Sequence, residues 1–142
     1  MAVNTAPIFS GVGDIQWAPI PLVAANTNYD GTGANSVIVA TAGASGSFIQ
    51  RIRFKASGSA TATVARLFIN NGQSTGSASN NVLFDEITLA ATTATNTAAT
   101  AVYELPLNFA LQAGYRIVAT VGTLQTTGGW EVCSIGGSYA SI

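Results

Sequence analysis

Histidine is absent from this chain, and only 11 of its 142 residues carry a charge. His is the side chain most often used for proton transfer near neutral pH and a very common metal ligand. Both chemistries therefore start without their usual tool. The six carboxylates, Asp14, Asp30, Asp85, Glu86, Glu104 and Glu131, are mostly isolated in sequence. Cys133 is the single cysteine, which excludes an intramolecular disulfide. It is expected to be a small buried apolar side chain, because its sequence neighbours offer Glu131 rather than a cation that would favour a thiolate. Ser and Thr are plentiful, yet no His or well-placed Lys stands by to activate one as a nucleophile. An enzyme, a cofactor and a resident metal are not expected.

Charge of either sign is equally scarce. A net charge of −1 and a pI near 5.0 argue against a general nucleic-acid binder, which normally presents a basic surface. No basic region precedes an apolar stretch within residues 1–10, so no secretion signal is read there. The longest uncharged run, residues 31–50, is interrupted by glycines, Asn35 and several Ser and Thr, and does not read as a membrane span. What fills the chain instead is small: Ala, Gly, Ser and Thr occupy 68 positions. With 48 % hydrophobic residues, the chain can still build a core without covalent staples. A surface this poor in charge is weakly protected against association and is expected to meet a partner.

Period-two patterns recur along the length, separated by Gly, Asn and Ser clusters. Ile52 and Phe54 alternate with Arg51, Arg53 and Lys55. Tyr103, Leu105, Leu107, Phe109 and Leu111 share one face, and Tyr115, Ile117, Ala119 and Val121 repeat the pattern. Strands are expected near 15–23, 36–42, 47–56, 62–70, 81–89, 101–109, 115–121 and 129–135. Pro106 lacks an amide donor, which places its strand at a sheet edge or at a bulge, and Pro19 and Pro21 call for the same in theirs. The Ala-rich residues 90–101 are broken by Thr and Asn and read as a connector. Asn70, Asn71 and Gly72 mark a turn, followed by a flexible surface loop over 72–80. The expectation is an all-β protein: a single-domain eight-stranded jelly-roll or β-sandwich over residues 15–142, preceded by an N-terminal arm, residues 1–14.

Two strands are apolar on both faces. Val64 and Phe68 flank Arg66 opposite Ala65, Leu67 and Ile69, while Val82 and Phe84 oppose Leu83, Ile87 and Leu89. Burial on both sides, within the domain or between subunits, is the usual reason for such a pattern. It points to a homo-oligomer, with a cyclic trimer as the expected form.

Three stretches carry a resemblance: residues 26–33 (NTNYDGTG), 41–52 (TAGASGSFIQRI) and 111–117 (LQAGYRI). Together they resemble the capsid decoration, or cement, and head-associated virion proteins of tailed bacteriophages, over roughly residues 15–135. The resemblance implies a β-sandwich or jelly roll, often trimeric, on the outer face of an icosahedral shell. Such a protein is made in the host cytoplasm and clamps neighbouring major capsid protein subunits. It brings no catalytic residues to this chain.

Other readings of the same residues are blander or sharper. Residues 26–33 could gather a cation around Asp30 and Asn28, but a calcium site usually collects several carboxylates, and an Asp-Gly turn needs none. Gly11 and Gly13 lack the Lys and helix of a phosphate loop. Arg51, Arg53 and Lys55 stand roughly 6–7 Å apart along one strand face. They read as a solvated face balanced by Asp85 or Glu86, or as a contact for acidic capsid surface; three cations hold nucleic acid only weakly. Trp130, after Gly128 and Gly129, is the aromatic that a loop would expose, either as an interface anchor or as a platform for host glycans. A glycan-binding module on a phage head or tail fibre is thus the alternative function. Glu104 and Glu131 are the remaining carboxylate pair that a glycosidase would need.

Overall fold

A computed structural model describes residues 10–140 as two four-stranded antiparallel sheets packed face to face. The strands are β1 (Ser10–Trp17), β2 (Val37–Thr41), β3 (Ser47–Ala56), β4 (Thr63–Asn70), β5 (Asn81–Leu89), β6 (Val102–Leu111), β7 (Arg116–Val121) and β8 (Trp130–Tyr139). One sheet has the order β1-β8-β3-β6 and the other β2-β7-β4-β5. Each consecutive strand crosses to the opposite sheet or folds back beside an earlier one, which is the double Greek key of a jelly roll. Ile52, Phe54, Trp130 and Val132 from the first sheet meet Val39, Leu67, Leu89 and Ile117 from the second, and all are buried. The period-two apolar positions of β6 and β7 fall on this inner face as their alternation requires.

Seven strands lie close to their expected positions; the first does not. β1 occupies residues 10–17, so residues 10–14 belong to the sheet and not to an arm, with Val12 opposite Ser138 and Asp14 opposite Gly136. Residues 1–9 of the expected arm lie outside the described residues. Pro19 and Pro21 sit beyond the strand, in a connector that returns to β8 only at the Leu22–Trp130 bridge. Two missing amide donors would have broken a regular ladder there. Pro106 meets both of its requirements. It lies on the edge strand β6, and Leu107 with Asn108 bulges opposite Gln50, between the pairs Ile49–Phe109 and Arg51–Pro106. Asn108 takes the left-handed φ of 52° that lets the chain step out and return.

Of the two strands that are apolar on both faces, β4 finds its cover inside the domain and β5 only in part. Phe68 and Val118 face each other across β4 and β7, fully buried but on the outer side of their sheet. Along the same face, Arg66 and Asn70 flank Phe68. Arg66 donates to the Asn26 carbonyl at 3.3 Å, lies 4.1 Å from the centre of the Tyr29 ring and holds Glu86 at 2.9 Å. Asn81, paired with Asn70, donates to the Asp30 carbonyl. The loop from 26 to 36 is therefore pinned on either side of Phe68 and lies across it. On β5, Phe84 is the extra residue of a bulge and packs on Phe109 of β6, ring centres 5.1 Å apart, closing that side of the sandwich. β4 needs no neighbouring subunit to account for its sequence, whereas Val82, 57 % accessible, and Phe84, 45 %, leave the outer face of β5 open. Removing the pin by Arg66→Ala should cost about 2–3 kcal/mol, because Glu86 and the Asn26 carbonyl lose their shared cation. Limited proteolysis should then cut within residues 26–36, where the unaltered protein resists.

The turn at Asn70 to Gly72 is as expected, with the Gly72 amide donating to Asn70 Oδ1 and φ of 88° at Gly72. The loop that follows is hydrogen-bonded within itself. Asn71 pairs with Asn80, Asn80 Nδ2 donates to the Ser74 carbonyl, and a 3-10 turn at Ala78–Asn80 closes it.

Candidate functional site

The outer face of the β1-β8-β3-β6 sheet carries the densest set of chemically distinct side chains. Register sets them in rows across the strands. Trp17, Cys133, Arg53 and Glu104 form one row; Ile15, Ile135, Arg51 and Pro106 form the next. A shorter row joins Glu131, Lys55 and Val102. Alternation along each strand turns these side chains outward, while Ile52 and Phe54 turn in.

Arg51, Arg53 and Lys55 do form a single file, as their spacing predicts, but their counter-charge is not Asp85 or Glu86. Glu104 lies 3.3 Å from Arg51 and 3.9 Å from Arg53. Arg51 also donates to Gln50, and Lys55 Nζ reaches the Thr100 carbonyl. Asp85 and Glu86 belong to the other sheet, where Glu86 serves Arg66. The correction has a simple cause: the neighbour of β3 is β6, fifty residues away in sequence, and only the sheet order reveals it. Glu104 and Glu131 share this face, but β3 runs between them with Arg53 and Lys55 opposite each in turn. Glu104 is ion-paired there, and an intervening strand separates the two carboxyls.

A shallow depression of about 110 Å³ is lined by Trp17, Arg53, Lys55, Glu131, Val132 and Cys133. Cys133 is half-buried on this outer face, not in the core, and its cationic neighbour Arg53 comes from the adjacent strand. Burial pushes the thiol pKa up, with Arg53 and then Arg51 pulling it down against that rise. The balance favours the neutral thiol, a poor nucleophile.

Trp130 is not a surface aromatic. It is fully buried, edge-on to Tyr103 at 5.8 Å between ring centres, and its indole N–H has no hydrogen-bond partner. The preceding glycines mark a close approach, not an exposed loop. A Cβ on Gly129 would stand 2.6 Å from Val23 and 2.9 Å from Pro21, so the bare glycine lets the 21–23 segment close over the tryptophan. A glycan cannot reach Trp130 while the domain is folded. The exposed indole is that of Trp17, 67 % accessible, beside Ile15 at 62 %. Both were legible as strand residues; their exposure depended on β1 being an edge.

Residues 26–33 form a self-satisfied turn. Asp30 Oδ1 accepts from the Thr32 hydroxyl at 2.6 Å and the Thr32 amide at 3.0 Å, and Asn28 Nδ2 donates to Thr32. The Thr32 hydroxyl bond, then its amide bond, lowers the Asp30 pKa below the ordinary carboxylate value. One carboxylate oxygen of Asp30 is thus committed to the chain's own donors. Among the described residues, no three His, Cys, Asp or Glu side chains cluster as metal ligands, and no helix is long and apolar enough to cross a membrane.

No protein-family model matches this chain, and neither a curated protein nor a solved structure matches it either.

Proposed function

We propose that this protein is a structural component of a bacteriophage virion that decorates the capsid exterior and cements the seams between major capsid protein subunits. The observation that carries the reading is the outer face of the β1-β8-β3-β6 sheet. Neutral and apolar groups, Ile15, Cys133, Ile135 and Pro106, alternate there with the cationic file of Arg51, Arg53 and Lys55. Such a mixture suits broad interfacial contact better than chemistry on a small molecule. The resemblance of residues 26–33, 41–52 and 111–117 to decoration proteins supplies the partner.

The mechanism is interfacial. Each copy bridges two shell subunits, and its binding stabilises the assembled shell over the separated subunits by mass action. The cations meet acidic shell groups and set register and rate of docking more than affinity. Capsids stripped of this protein should rupture at a lower temperature than capsids to which it is restored, at about one copy per shell subunit by quantitative mass spectrometry. The triple variant Arg51→Glu, Arg53→Glu, Lys55→Glu should fold yet occupy few sites. Restored capsids that rupture at the same temperature as stripped ones would sink the reading. The glycan-binding alternative loses Trp130 and would rest on Trp17 alone.

A further inference from the structure

We propose that β1 is a seam between two copies of this chain, paired antiparallel about a twofold axis through Ile15. The other sheet edges are guarded. β6 carries Pro106 and the bulge at Leu107 and Asn108; β5 carries a bulge at Phe84 followed by Asp85 and Glu86. On β2, the Gln16 side chain covers Thr41, donating to its carbonyl and accepting from its amide, both at 2.9 Å. Prolines, bulges and charges are the usual means of stopping one sheet from adding to another. β1 has no such guard beyond the irregularity at its start, between Ser10 and Val12. Its single charge, Asp14, already accepts from Gln16. Among the described residues, nothing pairs with its outer edge.

The phase of the hydrogen bonds selects the register. Ala18 donates to Val132 at 3.1 Å, so its polar groups face β8. Successive residues of a strand point their N–H and C=O groups to opposite sides, so Trp17, Ile15 and Gly13 turn theirs to the open edge. The same three residues lie at outward-facing positions of the strand. An axis at Ile15 sets Ile15 against its own copy and Trp17 against Gly13 of the second copy, twice, completing three hydrogen-bonded pairs.

Shape agrees with that register. A Cβ on Gly13 would have nothing within 4 Å, so the space above it is open, while Trp17 projects an accessible indole at the same distance from the axis. Knob and hole are thus placed symmetrically on one strand, which is the self-complementarity a twofold contact needs. On the inner side Asp14 meets Gln16, and no like charges oppose. An axis at Asp14 would stack the two carboxylates, and one at Gly13 would run into the irregular start of the strand.

A contact confined to one edge strand is small beside the ~800 Å² per partner of a stable standard interface, so the pair should dissociate on dilution. The result is a continuous eight-stranded sheet with both cationic files on one face. The inference does not depend on where the protein works, and it replaces the expected trimer with a dimer.

Sedimentation of the full chain over a wide concentration range tests it. The mass should rise from 14.4 kDa toward twice that value, and Ile15→Lys should weaken association at least ~tenfold by placing two cations on the axis. Gly13→Trp and Trp17→Gly should each weaken it, while the two together restore it, because knob and hole merely exchange places. Circular dichroism confirms that each variant is folded. On a Cys133→Ser background, Ile15→Cys should cross-link into a disulfide dimer under mild oxidation, since directly opposed hydrogen-bonded residues lie ~5.5 Å apart at Cα. A monomer at every concentration, or an assembly of three copies, would overturn the proposal.

Discussion

Trp130→Ala is expected to destabilise the domain by about 3–5 kcal/mol, the range for emptying a fully buried large aromatic site. The side chain starts β8 on its inner face, edge-on to Tyr103, under the lid formed by Leu22 and its neighbours. Deletion leaves a cavity bounded by two sheets and a connector, none of which can collapse without breaking ladder bonds. Trp130→Phe should cost far less. It keeps most of the ring and removes an indole N–H that is buried without a partner, a group whose burial costs about 1–3 kcal/mol. Chemical denaturation with matched slopes for the three proteins measures both. An Ala variant as stable as the unaltered protein would mean that Trp130 is not sealed in the core. Any binding function lost in Trp130→Ala should be lost in step with the folded fraction.

The second large effect is expected at Gly136→Ala, which should prevent folding or cost about 4 kcal/mol or more. An added Cβ would stand 2.0 Å from the Phe48 carbonyl oxygen, a backbone atom in the adjacent strand that cannot swing aside. The approach is this close because β3 bulges at Gln50, between the pairs Ile49–Gly136 and Arg51–Ile135. The bulge draws the two central strands together where β8 has no side chain. Gly58→Ala serves as the control: its Cβ would meet nothing nearer than 3.7 Å, and the melting temperature should scarcely move. Equal melting temperatures for the two variants would refute the steric argument.

These two residues show what the sequence does and does not disclose. Alternation is a local signal, and it located β6 and β7 because the inner face of each writes itself into every second residue. β1 wrote a different pattern. Its early residues are Ser, Gly, Val, Gly and Asp, and the apolar run from Ile15 to Val23 drew the expected strand toward the prolines. The pairing that makes residues 10–14 a strand is with Ser138, Gly137 and Gly136, more than a hundred positions away. The cationic file of β3 was legible for the same local reason as β6, whereas its partner Glu104 was a matter of sheet order. Gly128 and Gly129 misled because glycine before a tryptophan signals either an exposed turn or an approaching backbone, and only tertiary structure decides between them.

The order of the strands also governs how the domain comes to exist. β1 has a single sheet neighbour, and that neighbour is the eighth strand: Ser10 pairs with Tyr139. Closing a loop of that length precedes any reward from the contact, which places the domain among slow-folding, non-local topologies. During synthesis the first strand waits for the last, with Ile15 and Trp17 unshielded and its edge open on both sides. Chaperone demand and yield on refolding should therefore depend more on the residues of β1 than on those of any strand between.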